Sequence, residues 1–82
     1  MKIEVLGPGC ANCKKLEQDM KSALAELGIE AEVIKVADLN KISSYGVLMT
    51  PGLVINGKVY SSGKLPVMTT LKRWIEEEYK RT

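Results

Sequence analysis

The 82 residues carry 12 basic and 10 acidic side chains, no histidine and two cysteines; 45% are apolar and 27% charged. That mix belongs to a folded globular chain and excludes disorder. The net charge of +2 is spread without a basic stripe or a single-sign block, which excludes an electrostatic role on nucleic acid or a membrane surface. The length predicts one domain over residues 1–82, with a thin core of Leu, Ile, Val, Met and Ala. Glu4 interrupts an N-terminal run already too short for the roughly 7–15 apolar residues of a signal peptide. No stretch approaches the ~18 apolar residues of a membrane span. The expectation is a cytoplasmic monomer.

In chain order, Ile3 and Val5 alternate with Lys2 and Glu4, the pattern of a half-buried strand over residues 1–6. Gly7-Pro8-Gly9 breaks it. A helix is predicted over 11–27, with Leu16, Met20, Ala23, Leu24 and Leu27 on one face and Gly28 as its stop. A second strand over 30–36 completes a βαβ unit, which implies a parallel pair. Asp38 fits the cap of a short helix over 39–45 closed by Gly46. Thr50-Pro51 leads into the apolar run Gly52-Leu53-Val54-Ile55, a strand covered on both faces. Asn56-Gly57 is a hairpin signal that pairs this run with residues 58–61. After Gly63, Pro66 fits the first turn of a last helix with Val67, Leu71, Trp74, Ile75 and Tyr79 as its buried stripe. The fold class is α/β, a four-stranded mixed sheet in the order β-α-β-α-β-β-α.

Cys10 and Cys13 fall where the first strand hands over to the first helix. Two cysteines three apart close a loop too small to stabilise much, and a reducing compartment does not use them as a staple. Their spacing brings side chains about 5–6 Å apart on a helix, within reach of a reversible disulfide. The helix N-terminus favours a thiolate at Cys10, with small help from Lys14 and Lys15. That predicts a thiol pKa below the free value of ~8.5. Cys10 is then the attacking thiolate. Cys13, one turn inside on the face of Leu16 and Met20, is the resolving thiol.

Cys10-Ala11-Asn12-Cys13 behind Gly7-Pro8-Gly9, with Thr50-Pro51 entering an apolar strand, resembles the thioredoxin/glutaredoxin superfamily. More narrowly, it resembles the small thioredoxin-like redox-active disulfide proteins of archaea and bacteria. The resemblance implies a thioredoxin-like fold and a thiol–disulfide oxidoreductase without a bound cofactor. Its partners would be disulfide-containing proteins or small disulfides, and an upstream disulfide reductase. From the residues alone, Pro51 reads as a trans proline that starts a strand; the resemblance implies a cis proline beside the reactive cysteine. It also implies that Thr50 offers its backbone to a bound substrate.

The chain departs from the superfamily in three places. Ala11-Asn12 stands between the cysteines where thioredoxin has Gly-Pro. Ile34-Lys35-Val36 occupies the second strand's end, where thioredoxin is expected to have a buried carboxylate. Ser61-Ser62-Gly63-Lys64 lacks the acidic residues by which glutaredoxins hold glutathione. The alternative reading is a Cu(I) chaperone, since two thiolates at this spacing hold Cu(I) linearly. Such domains run βαββαβ and carry Met where this chain has Pro8. Zinc needs four ligands, and two cysteines without histidine do not supply them. Trp74, Tyr79, Met20, Met49 and Met68 are expected in the core. Tyr45 is expected either to pack or to line a substrate groove, and the charges of residues 72–81 to face solvent.

Overall fold

The elements run β1 (Lys2–Leu6), α1 (Ala11–Leu27), β2 (Glu32–Val36), α2 (Leu39–Ser44), β3 (Gly52–Ile55), β4 (Lys58–Ser62) and α3 (Met68–Arg81). They are taken from a computed structural model that describes residues 1–81. The four strands form one mixed sheet in the order β2-β1-β3-β4. β1 runs parallel to β2 and antiparallel to β3, and β3 pairs antiparallel with β4. The α/β class and the β-α-β-α-β-β-α order expected from the sequence are both present.

Local chemistry sets the boundaries. Gly28 ends α1 in the left-handed conformation at φ 68°, and its N–H bonds back to the last turn. The Asp38 carboxylate accepts the Asn40 N–H at 2.9 Å and caps α2. Asn56 and Gly57 adopt φ 51° and 82°, which lets two residues reverse the chain between β3 and β4.

Two apolar clusters cover the sheet. On one face Ile3, Val5, Leu53 and Ile55 meet Leu16, Met20, Ala23 and Leu24 of α1 and Leu71 and Ile75 of α3. On the other, Leu6, Val36 and Val54 lie under Ile42 of α2 and Val47. Because β1 is a central strand with both faces covered, its burial is continuous from Ile3 to Leu6, not alternating. Glu4 is therefore inside, at 3% exposure, which corrects the half-buried strand expected there. Its carboxylate accepts a hydrogen bond from the Tyr45 hydroxyl at 2.7 Å and meets Lys2 Nζ at 3.3 Å. A buried carboxylate needs such partners.

The last helix also differs from its expected stripe. It begins at Met68, so Pro66 precedes the first turn, and Val67 and Tyr79 are 67% and 55% exposed. The buried positions are Leu71, Ile75 and Glu78, with Trp74 half-buried against the Tyr60 ring at 5.3 Å. Glu78 takes the inward place because Tyr60 on β4 donates its hydroxyl to the carboxylate. That bond holds the Glu78 carboxyl below its ordinary range despite burial. Burial and then the same bond push the Tyr60 phenol up to about 12. One charge in 72–81 thus faces inward. Met20 is buried and Met68 packs on the core, as expected, whereas Met49 is 66% exposed, because it sits in the loop before Pro51.

Candidate redox site

The cysteine loop joins β1 to α1, so its position is fixed by the central strand on one side and by the α1 core face on the other. Cys10 is the N-cap of α1, and its Sγ accepts the Cys13 N–H at 3.2 Å. The Cys10 carbonyl accepts the Lys14 N–H at 3.0 Å and starts the helical ladder. Cys10 is exposed and Cys13 is 2% exposed, with Leu16 and Met20 next along the same buried face. The two are joined by a disulfide with Cα atoms 5.0 Å apart. A thiolate released at Cys10 keeps the Cys13 N–H as a charge-assisted donor and sits at the positive end of a 17-residue helix. Lys14 and Lys15 are both exposed, but Lys15 turns away to Asp19 at 2.9 Å. Less of the expected positive charge therefore reaches Cys10 from α1.

Gly7 is where the loop comes closest to its neighbours. It is buried and its N–H donates to the Val36 carbonyl at 2.8 Å, which ties the loop to the end of β2. A Cβ placed on it would collide with Cys13 Sγ and lie 3.5 Å from Thr50 Cβ. Gly7 is thus the spacer between the buried cysteine and the Thr50 segment. The Thr50–Pro51 bond is cis, as the family resemblance implies and the residues alone do not. Pro51 is buried, Thr50 half-buried, and the Pro51 carbonyl accepts the Gly63 N–H at 2.9 Å. Leu48 and Met49, immediately before, are 92% and 66% exposed. The structure thereby gathers Cys10, Cys13 and Thr50 at one end of the sheet.

Sequence reading missed the placement of two charged groups on the strands that flank the cysteine loop. One is Glu4, a buried carboxylate on the strand that leads into the cysteine loop, whereas the resemblance places a carboxylate on the second strand. The alternating pattern of β1 hid it. The other is Lys35, whose ammonium lies 3.6 Å from the position a Gly9 Cβ would take. Tyr45 packs against the second cluster and bonds Glu4, and burial with that bond raises its phenol, the bond contributing most. Among the described residues no group of three or more His, Cys, Asp or Glu side chains is placed to hold a metal. No helix there is long and apolar enough to cross a membrane.

An exposed cysteine capping a helix, with its partner buried one turn in, on a mixed α/β sheet beside a cis-proline loop, defines a dithiol–disulfide site on a thioredoxin-like fold. Residues 1–76 match the thioredoxin-domain family. The chain is 37% identical over 73 residues to a thioredoxin of Methanothermobacter thermautotrophicus, covering 89% of this chain and 95% of that one. It is also 37% identical over 70 residues to a thioredoxin of Methanocaldococcus jannaschii, covering 85% and 80%. The chain belongs to the thioredoxin family and is a thiol–disulfide oxidoreductase.

Proposed function

We propose that this protein is a cytoplasmic, monomeric protein-disulfide reductase whose single domain spans residues 1–82. The Cys10 thiolate attacks one sulfur of a substrate disulfide, forming a mixed disulfide and expelling the other sulfur as a thiolate. The expelled thiolate takes up the Cys13 proton, and the Cys13 thiolate attacks Cys10 Sγ. That step releases the second substrate thiol and leaves the Cys10–Cys13 disulfide. Two electrons pass to the substrate, and an upstream disulfide reductase returns them to the pair. The dithiol is itself the electron carrier, so the cycle requires no bound cofactor. Thr50 and Pro51 supply the backbone against which an extended substrate segment lies, with Leu48 and Met49 as the apolar approach.

The observation that carries this reading is the asymmetry of the pair: Cys10 exposed at the helix end with Sγ on a backbone N–H, Cys13 at 2% exposure behind it. The Cu(I) chaperone reading loses its frame, because α2 follows β2 where such domains place a strand. The test is an equilibrium redox titration followed by thiol alkylation and mass. A reversible, intramolecular loss of two hydrogens with a midpoint between roughly −300 and −180 mV is expected. If no intramolecular disulfide forms, or the thiols stay masked until a metal is removed, metal transfer replaces this reading.

A further inference from the structure

Lys35 reaches the reactive turn from a different strand. It stands opposite Val5 in the parallel ladder of β1 and β2, one residue before Val36, whose carbonyl anchors Gly7. From there its side chain extends over Gly9: a Cβ on Gly9 would lie 3.6 Å from Lys35 Nζ and 4.0 Å from Cε. Gly9 is bonded to Cys10, so the covalent path keeps the ammonium within about 12 Å of Cys10 Sγ. Among the described residues Lys35 forms no ion pair, whereas Lys15, nearer in sequence, is held by Asp19. The other charged groups around the loop are few. Lys14 projects from α1, Glu4 on β1 is engaged by Tyr45 and Lys2, and Asp38 beyond β2 caps α2. The Thr50–Pro51 segment brings no charge.

We propose that Lys35 is a positioning residue for thiol–disulfide exchange: its ammonium steadies the Cys10 thiolate and favours disulfides flanked by anionic groups. The proposal rests on Cys10 being the attacking sulfur. Within about 12 Å in a surface dielectric of ~40–80, one positive charge lowers a thiol by an amount on the order of 0.3–0.8 pH unit. An anionic substrate arriving at Cys10 feels the same charge, and a cationic one the opposite sign.

The reduced wild-type protein is compared with Lys35→Arg, Lys35→Met and Lys35→Glu. Lys35 is exposed near the end of an edge strand, so all four keep the fold, which circular dichroism checks. The pH dependence of Cys10 alkylation by neutral iodoacetamide gives the thiol pKa. The rates with dithiobis(nitrobenzoate), an anionic disulfide, and cystamine, a cationic one, give a charge-preference ratio at low salt. Each probe takes two electrons and ends as two thiols while the protein dithiol becomes the disulfide.

The thiol pKa is expected to rise by about 0.3–0.8 unit in Lys35→Met and about twice that in Lys35→Glu, with Lys35→Arg unchanged. The ratio of anionic to cationic rates should fall about three- to fivefold in Lys35→Met and about tenfold or more in Lys35→Glu. Added salt should compress these differences. Equal pKa values and ratios across the series, with both probes still reacting, would overturn the role of Lys35 and leave the dithiol reading intact. A wild-type protein inert to both probes would overturn both.

Discussion

Gly7→Ala tests how tightly the cysteine loop is built. Gly7 does not occupy the left-handed region, so alanine meets no backbone strain there, and the N–H bond to Val36 survives. What changes is space. The new methyl would collide with Cys13 Sγ and lie 3.2 Å from Cys13 Cβ and 3.5 Å from Thr50 Cβ. The two carbon contacts yield to small shifts. The sulfur contact does not, because in the disulfide Cys13 Sγ is held both by α1 and by Cys10. After reduction the freed thiol turns to another rotamer and relieves it. Overpacking a close-packed site costs about 1–3 kcal/mol, and here that cost falls mainly on the oxidised form. With 1.4 kcal/mol equal to about 30 mV for a two-electron couple, the midpoint rises by about 20–65 mV. Redox titration against a dithiol buffer reads the shift, and urea unfolding of both forms should close the same thermodynamic cycle. A midpoint within about 5 mV of wild type, or equal destabilisation of both forms, would refute the reasoning.

Tyr60→Phe removes the phenol that Glu78 accepts from, and it should lower stability at pH 7 by about 1.5–2 kcal/mol, read as a shift in urea midpoint. Because the bond lowers the folded Glu78 pKa, its benefit is complete above the unfolded value of about 4.3 and is lost as pH falls through the folded one. The gap between variant and wild type should therefore shrink at low pH. Tyr60, raised to about 12, contributes fully below an unfolded value of about 10 and loses that contribution as pH rises through 12, a loss that Tyr60→Phe should not show. Cys13→Ser should accumulate a mixed disulfide between Cys10 and a disulfide substrate, seen by mass and dispersed by dithiothreitol. Cys10→Ser should form none at a comparable rate, since Cys13 is buried; equal trapping by both variants would reverse the assigned roles.

Much of the fold was legible because several signals agreed over the same residues. For α1, the periodic Leu16, Met20, Ala23 and Leu24 and the stop at Gly28 all point to one helix, and it runs Ala11–Leu27. Asn56-Gly57 placed the hairpin, and the uninterrupted apolar run of 52–55 correctly indicated a strand covered on both faces. What the sequence hid depends on which elements become neighbours. Glu4 reads as a solvent-facing residue until β1 is known to be central, with a tyrosine from the loop after α2 above it. Glu78 belongs to a charged run, and only the Tyr60 hydroxyl across the interface makes it an inward residue. Lys35 lies 26 residues from Gly9 along the chain (35 minus 9), and the parallel crossover brings them together. For Pro51 the residues favoured the commoner trans bond, and only the likeness of the whole chain to a family pointed to cis.

The site separates rigidity from reactivity along a single helix. Cys13 stands on the same face as Leu16 and Met20, which are fully buried in the main cluster, so its backbone is carried by the core face of α1. Cys10 stands one residue outside the helix, exposed, with its sulfur accepting the Cys13 N–H of the first turn. The bond between them closes so short a loop that the chain-entropy account gives it about 2 kcal/mol at most. The fold rests instead on the two clusters either side of the sheet, neither of which includes a cysteine. Opening the disulfide is therefore expected to leave the sheet and the helices packed on it in place. A carrier that must be recognised by a substrate in one state and by its reductase in the other requires that constancy.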